Sequence, residues 1–486
     1  MTDKKDKMDV NRRNFLKISG AAGAVLGAAG LGVAGYRSGK DPQSYLGWQS
    51  AEGADQYFDR KSVEVDEPTY QIVGETSRPD IGKGWSGRRR KFAMQWKKET
   101  GFEGLDPDLQ QYYTDHPEAF ELDRSFIDEI RPTRAADNKI YGHQFRIAEA
   151  WSNAMGAIKP PRITEPPEIA DFPRIAGSRN RNSGGTLPEP AKMKHPAKTS
   201  KLIKKIALEL GSSFAGICKV NPDWIYKDLG QNRGFTSTDV PKHWEYAVVI
   251  GIPMSWDPMY ANPNYGTSGD AYGRVSIVAE RLAAFIKNLG YAARPHSPMG
   301  GYDLMVPPFA IDAGLGEQGR HGVVILPEVG CNVRPAVITT NLPVIPDKPI
   351  DFGVQDFCKT CKICAEVCPS GAIPFGDKVE VRGYRKYQLN QAKCQNFWQS
   401  NLGNNGCRLC ISVCPYTRKS NWMHKTARDL SIADPTGLMD KALLTMQKWM
   451  YSGPESKEYF MPSMGGSNAS YRPPPWWLKA EDFIEP

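Results

Sequence analysis

Eight of the ten cysteines in this 486-residue chain fall between Cys358 and Cys414. No other feature restricts the fold as strongly, because thiols gathered in fours dictate the backbone path around them. A disulfide framework would spread its cysteines along the chain, so this clustering points to metal. The first run is Cys358-x2-Cys361-x2-Cys364-x3-Cys368-Pro369. The second is looser, Cys394-x12-Cys407-x2-Cys410-x3-Cys414-Pro415. Three thiolates on one tight loop reach three irons of a cubane, and the fourth, beside proline, turns toward a second cluster. Zinc ribbons space their pairs differently and lack the paired Cys-Pro ends. Two [4Fe–4S] clusters are expected.

The first run has the spacing of the bacterial ferredoxins, whose cross-over assigns the ligands. One cluster takes Cys358, Cys361, Cys364 and Cys414, and the other takes Cys368, Cys394, Cys407 and Cys410. Cys218 and Cys331 lie in or beside apolar strands and are expected to be buried, inert thiols.

The N-terminus reads as a targeting segment. A lysine-rich start leads to Asn11-Arg12-Arg13-Asn14-Phe15-Leu16-Lys17 and then to an Ala/Gly-rich apolar stretch, Ile18 to Ala34. This resembles a twin-arginine signal, with cleavage expected near Ala34. The stretch is short and weakly apolar for a membrane span. No later run reaches the length of a span, so the mature chain is expected to be soluble or peripheral. The twin-arginine route carries folded proteins, which suits cofactors inserted before export.

Net charge is +8, from 62 basic and 54 acidic residues, which is too mild an excess to argue nucleic-acid binding. The run Arg88-Arg89-Arg90-Lys91 is expected to be a solvated face rather than a docking patch. Pro160-Pro161, Pro166-Pro167 and Gly184-Gly185 mark an irregular insertion. Beyond it, Leu202, Ile203, Ile206, Ala207 and Leu210 recur at helical spacing, with Gly211 as a cap. Ala215–Val220, Tyr246–Ile252, Val323–Leu326 and Val337–Thr340 read as strands, and Tyr272–Leu289 as an amphipathic helix. No G-x-G-x-x-G follows a strand and no P-loop is present, so nucleotide folds lose support. The expected class is α+β.

Several stretches together carry a resemblance. They are Gly269-Asp270-Ala271-Tyr272-Gly273-Arg274, Ala313-Gly314-Leu315-Gly316-Glu317-Gln318-Gly319-Arg320-His321, Pro346-Asp347-Lys348-Pro349-Ile350-Asp351-Phe352-Gly353, the cysteine runs and the export signal. In this order they resemble the respiratory reductive dehalogenases. The resemblance implies a nitroreductase-like corrinoid-binding core carrying an inserted ferredoxin-like module. It divides the chain into a signal at 1–34, an N-terminal region with its insertion at 35–190, the corrinoid core at 191–344, the two-cluster module at 345–424 and a segment returning to the core at 425–486. It implies a base-off cobalamin and the reaction R–X + 2e⁻ + H⁺ → R–H + X⁻ on a small organohalide. It also implies a small integral-membrane anchor protein, a membrane electron donor, and a place on the outer face of the cytoplasmic membrane. The sequence holds no Asp-x-His-x-x-Gly motif, so a histidine-ligated corrinoid is disfavoured.

In this family a tyrosine donates the proton, and Tyr272, at the expected start of its helix, resembles it. Arg320 resembles the basic residue that would stabilise the phenolate. Tyr265, Asp270 and Arg274 are the alternatives. The family's asparagine is missing from residues 294–306, where Tyr302 or Ser297 would substitute. Trp422, Trp449, Trp476 and Trp477 are candidates for lining a substrate slot, although core packing is the commoner use of tryptophan. Two other functions compete. An epoxyqueuosine-reductase-like enzyme shares the Gly-Leu-Gly segment but acts in the cytoplasm, and an exported ferredoxin subunit would not need so large a cluster-free domain. Replacing Arg12 and Arg13 together by Lys should trap precursor inside the cell; a blot showing unchanged export would remove the targeting assignment.

Overall fold

The computed structural model describes residues 60–79, 84–130, 190–227, 240–260, 265–298, 302–401, 407–418, 422–434 and 436–450, with short pieces at 147, 150–151, 154, 476–478 and 482–483. The signal segment and most of the proline-rich insertion lie outside these residues. The N-terminal part begins with strand β1 (Gln71–Ile72) and helices α1 (Gly84–Gln95), α2 (Pro107–Asp115) and α3 (Pro117–Ser125). Helix α2 starts where it does for two local reasons: Pro107 needs no N–H partner, and the Asp106 carboxylate accepts the Leu109 N–H at 2.9 Å.

The central part runs α4 (Pro196–Glu209), β2 (Phe214–Lys219), β3 (Tyr246–Ile252), α5 (Trp256–Tyr260), α6 (Tyr265–Asn288), β4 (Ala293–His296), α7 (Val306–Asp312), β5 (Glu317–Gln318), β6 (Val324–Ile325) and β7 (Arg334–Thr340). Its main sheet has the order β2-β3-β7-β4, with every neighbouring pair antiparallel. Val248 on β3 stands opposite Ile217 and Ile338, which fixes the register at the centre. Alternation along β3 then divides the core. Val248, Ile250 and Ile252 face Ile203 and Ala207 of α4 and the stripe Val275, Val278, Ala279, Leu282 and Ile286 of α6. Ala247 and Val249 face the other way, toward Phe309 and Ile311 of α7 and Trp224. A sheet with helices packed on both faces bears out the expected α+β class.

Helix α6 begins at Tyr265, seven residues before the expected Tyr272. Its first turns carry Thr267, Ser268 and two glycines, a composition that conceals a helix from an apolar-periodicity reading. Tyr272 is therefore an interior helical residue.

The cysteine-bearing part comprises α8 (Val354–Thr360), α9 (Ile363–Glu366), β8 (Val379–Val381), β9 (Tyr384–Lys386), α10 (Gln391–Asn401) and α11 (Leu409–Ser412). It is followed by α12 (Trp422–Ala433) and α13 (Leu438–Met450). Strand β1 pairs with β9, Ile72 opposite Tyr384, so the N-terminal part joins the cysteine-bearing part in one small sheet. The basic run contributes to the same junction, which corrects the expectation of a solvated face. Arg88 and Arg89 are buried. Arg89 pairs with the buried Asp123 and donates to Asn396 of α10 at 3.1 Å, and Arg88 lies over the Tyr112 ring. The C-terminal helices rest on the cysteine-bearing part, through Leu444 packed near Phe357 and an ion pair from Lys448 to Glu366.

Gly330 shows how closely core and cysteine-bearing part meet. Its φ is +60°, and an added Cβ would stand 2.4 Å from the Tyr416 carbonyl oxygen. Gly330→Ala should cost about 2–5 kcal/mol, combining a left-handed alanine with overpacking. A thermal midpoint equal to wild type would show that this contact is looser than described.

Candidate functional site

The cysteine side chains gather in two sets. Cys358, Cys361, Cys364 and Cys414 are all buried. The sulfur atoms that act electrostatically on Cys364 are those of Cys414, Cys358 and Cys361. Cys407 is influenced in the same way by Cys394 and Cys368, and Cys410 by Cys407, Cys394, Cys368 and Cys364. Cys364 and Cys410 are thus the near neighbours between sets, in keeping with the contacts of the short helices α9 and α11. Burial pushes the thiols of Cys361 and Cys394 up to about 12. Metal binding requires thiolates, so a cationic cluster must offset that cost. Eight soft donors in two fours match the donor set of two four-iron clusters.

The Gly-rich segment 313–320 fixes the first of these cysteines. Glu317 is fully buried, and its Oε1 accepts the N–H groups of Phe352 at 2.8 Å and Val354 at 3.2 Å, at the start of α8. Its Oε2 accepts from the Gln355 side chain at 3.0 Å. Burial raises the Glu317 carboxyl to about 7, opposed by those hydrogen bonds. Arg320, 1% exposed, holds the other end of α8. Its Nη2 donates to the Cys358 carbonyl at 2.7 Å, and its Nη1 to Pro374 and Gly376 at 3.0 and 2.7 Å. The same guanidinium lies 4.1 Å from the Tyr387 ring centroid.

Tyr272 and Arg320 are accordingly not brought together by any described contact. The cation over Tyr272 is Arg334, at 5.1 Å from the ring centroid. Arg334 opens β7, is 8% exposed, and donates to the Val333 carbonyl and to the Ser268 hydroxyl at 2.9 Å. Ser268 also accepts from Arg408, at 2.9 Å. Helix α6 is therefore hydrogen-bonded to a residue lying between Cys407 and Cys410. Ala271, next to Tyr272, shares one apolar cluster with Cys358 and Cys414. Sequence reading missed Arg334 because its only signal is position, an arginine at the mouth of a buried strand.

The remaining candidates are otherwise engaged. Asp270 and Arg274 pair with each other at 2.8 Å, Tyr302 donates to the Pro335 carbonyl at 2.9 Å, and Ser297 is buried. Trp476 is 70% exposed and Trp477 packs on Trp151. The side chains of Tyr265, Trp422 and Trp449 lie outside the described residues. A cleft of about 100 Å³ opens between α12, α13 and the cysteine-bearing part, lined by Phe357, Tyr416, Arg428 and Leu443 but not by Tyr272. Cys218 is buried against the Phe309 carbonyl, as expected of an inert thiol. Cys331 is buried too, and its sulfur lies 3.1 Å from His321 Nε2, in a group with Cys414.

Fold and sulfur grouping define a two-cluster iron–sulfur protein, and residues 357–417 match the 4Fe-4S dicluster domain family. Residues 9–34 match the twin-arginine translocation pathway signal sequence. Beyond these two matches the chain is similar to reductive dehalogenases. It is 32% identical over 288 residues to the tetrachloroethene reductive dehalogenase of Sulfurospirillum multivorans, covering 52% of this chain and 56% of that one. The tetrachloroethene reductive dehalogenase of Dehalobacter restrictus is 29% identical over 314 residues, 54% of this chain and 56% of its own. A solved reductive dehalogenase, described with a mechanism for B12-dependent dehalogenation, aligns with TM-score 0.56 at 25% identity, covering 82% of this chain and 50% of that one. The chain thus spans about half the length of the relatives it matches. Cys361→Ala should remove one cluster's electron paramagnetic resonance signal and Cys407→Ala the other's; loss of the same species by both would overturn the cross-over.

Proposed function

We propose that the chain is a reductive dehalogenase, reducing a small organohalide by two electrons and one proton to R–H and halide. The observation that carries this reading is Tyr272, an acid under a buried guanidinium, on a helix hydrogen-bonded to the second cysteine run. Electrons enter through the clusters, whose ligands we assign as Cys358, Cys361, Cys364 and Cys414, and Cys368, Cys394, Cys407 and Cys410. The core, read as the nitroreductase-like corrinoid fold, would hold a base-off cobalamin, which supplies a strongly reducing, nucleophilic cobalt when bound.

Two features of the donor set suit such a guest. The Thr267 hydroxyl and the Asn332 Oδ1 are buried without partners, as groups waiting for the amide side chains of a corrinoid would be. The buried histidines already use both ring nitrogens: His296 faces Asp303 and Thr339, and His321 faces the Val323 N–H and Cys331. Neither is offered to cobalt, in keeping with a base-off form.

In this reading the Tyr272 hydroxyl delivers its proton to the carbon that loses halogen, and Arg334 stabilises the phenolate left behind. Arg320 acts at a distance, fixing the Cys358 loop rather than touching substrate. The protein works on the outer face of the cytoplasmic membrane, held by a small integral-membrane anchor and fed by a membrane electron donor. Among the described residues no helix is long and apolar enough to cross a membrane, which agrees with peripheral attachment.

Anaerobically purified protein should contain ~8 Fe and ~1 Co per chain if both clusters and the corrinoid load. Tyr272→Phe should keep that content and lose ~10²–10⁴-fold in dehalogenation rate. Full turnover by this variant would exclude Tyr272 as the donor, and cobalt-free wild type would sink the corrinoid reading.

A further inference from the structure

His321 and Cys331 are buried, ionisable, and unused by the chemistry above. With Cys414 they form a group whose sulfur and nitrogen atoms all lie within 4.8 Å of one another. The arrangement is built rather than incidental. The Val323 N–H donates to His321 Nδ1 at 3.1 Å, which leaves the imidazole proton on Nε2. That Nε2–H points at the Cys331 sulfur, 3.1 Å away. An added Cβ at Gly319 would stand 2.8 Å from the ring's Cε1, so the glycine makes room for the imidazole. The Cys331 N–H donates to Thr417 Oγ1 at 3.0 Å, tying this loop to the residues just after Cys414. The Cys414 sulfur lies within 4.8 Å of both the Cys331 sulfur and a His321 ring nitrogen.

We propose that His321 and Cys331 form a hydrogen-bond relay onto the Cys414 sulfur and so raise the reduction potential of the cluster held by Cys358, Cys361, Cys364 and Cys414. The proposal rests on the ligand assignment made above. The direction follows from charge. Reduction places further negative charge on the cluster and its thiolates, and a donor aimed at one of those sulfurs stabilises the reduced form more than the oxidised one. His321 fixes the Cys331 thiol as donor by occupying its lone pair, and the Cys331 S–H turns to Cys414. Both are positioning residues: neither touches substrate. Because the relay reaches one sulfur of one set, the two clusters acquire different potentials, with the Cys414 cluster the better acceptor.

The test is a redox titration of the loaded protein followed by electron paramagnetic resonance, each cluster read separately. Cys331→Ala, which removes the sulfur and with it the donor, should make the Cys414 cluster harder to reduce by about tenfold in equilibrium constant, about 59 mV for a one-electron couple. The other cluster should not move, and iron content should be unchanged. Cys331→Ser, which keeps a donor, should restore most of the shift, and His321→Leu should lower the same potential. Equal potentials in wild type and Cys331→Ala would overturn the relay. Loss of cluster iron in Cys331→Ala would overturn it by making Cys331 a ligand. A stoichiometric zinc lost from that variant would do so by making the trio a separate metal site. If the wild type shows no two reducible four-iron signals, the cluster assignment itself fails.

Discussion

Packing eight thiols into one buried and one half-buried set is unfavourable for the polypeptide alone. As neutral groups they offer little cohesion, and as thiolates they repel one another where water cannot screen them. The apolar surroundings that raise these thiols are the same that a cluster finds when it binds. Folding energy and cofactor energy are therefore one quantity here, and the cysteine-bearing part depends on its metal as much as on its side-chain packing. The rest of the molecule is arranged around that dependence. The core sheet supplies a rigid wall, and the segments leaving it reach the cysteine-bearing part with buried charged side chains as well as apolar ones.

The turn containing Glu317 and Arg320 shows how this is done. Four residues place an acid at one end of α8 and a base at the other, both buried, both bonded to backbone rather than to each other. Each charge complements the helix end that it meets, negative at the exposed N–H groups and positive at the carbonyls. The helix bearing Cys358 is thereby set against the core, alongside the apolar cluster that Val354 and Cys358 share with Met254, Ala271 and Ile325. Arg334, further along, performs a different task with the same chemistry, turning its guanidinium to a hydroxyl and an aromatic face.

Much of this was legible in the sequence, and the reasons differ by element. The cysteine runs announced themselves because thiolate geometry around iron permits few spacings. Strand Tyr246–Ile252 was readable residue for residue because a strand covered on both faces is a continuous apolar run. Helix α6 was found but started too late, since its first two turns are polar and bury hydroxyls for a site rather than side chains for a core. Arg320 was singled out for its place in a motif, and its neighbours were not readable: which cation meets Tyr272 is decided by β7 crossing under α6, a tertiary fact with no local signature. The basic run at 88–91 misled for a related reason. Arginines buried by partners three hundred residues away look, in sequence, like arginines in water.

The pairing of β1 with β9 has a consequence for how the molecule comes into being. Ile72 leaves the ribosome long before Tyr384, and at ~5–20 residues per second the interval is roughly 15–60 s. Throughout it the early strand lacks its partner and Arg89 lacks Asn396, so neither the N-terminal part nor the cysteine-bearing part closes in the order of synthesis. High contact order of this kind slows folding and lengthens the life of incomplete states. A chain whose export signal belongs to a route for finished proteins has to spend that waiting time before it crosses the membrane. Cys394, Cys407, Cys410 and Cys414 emerge later still than Tyr384, so the thiols are complete only after every strand of the small sheet has been made.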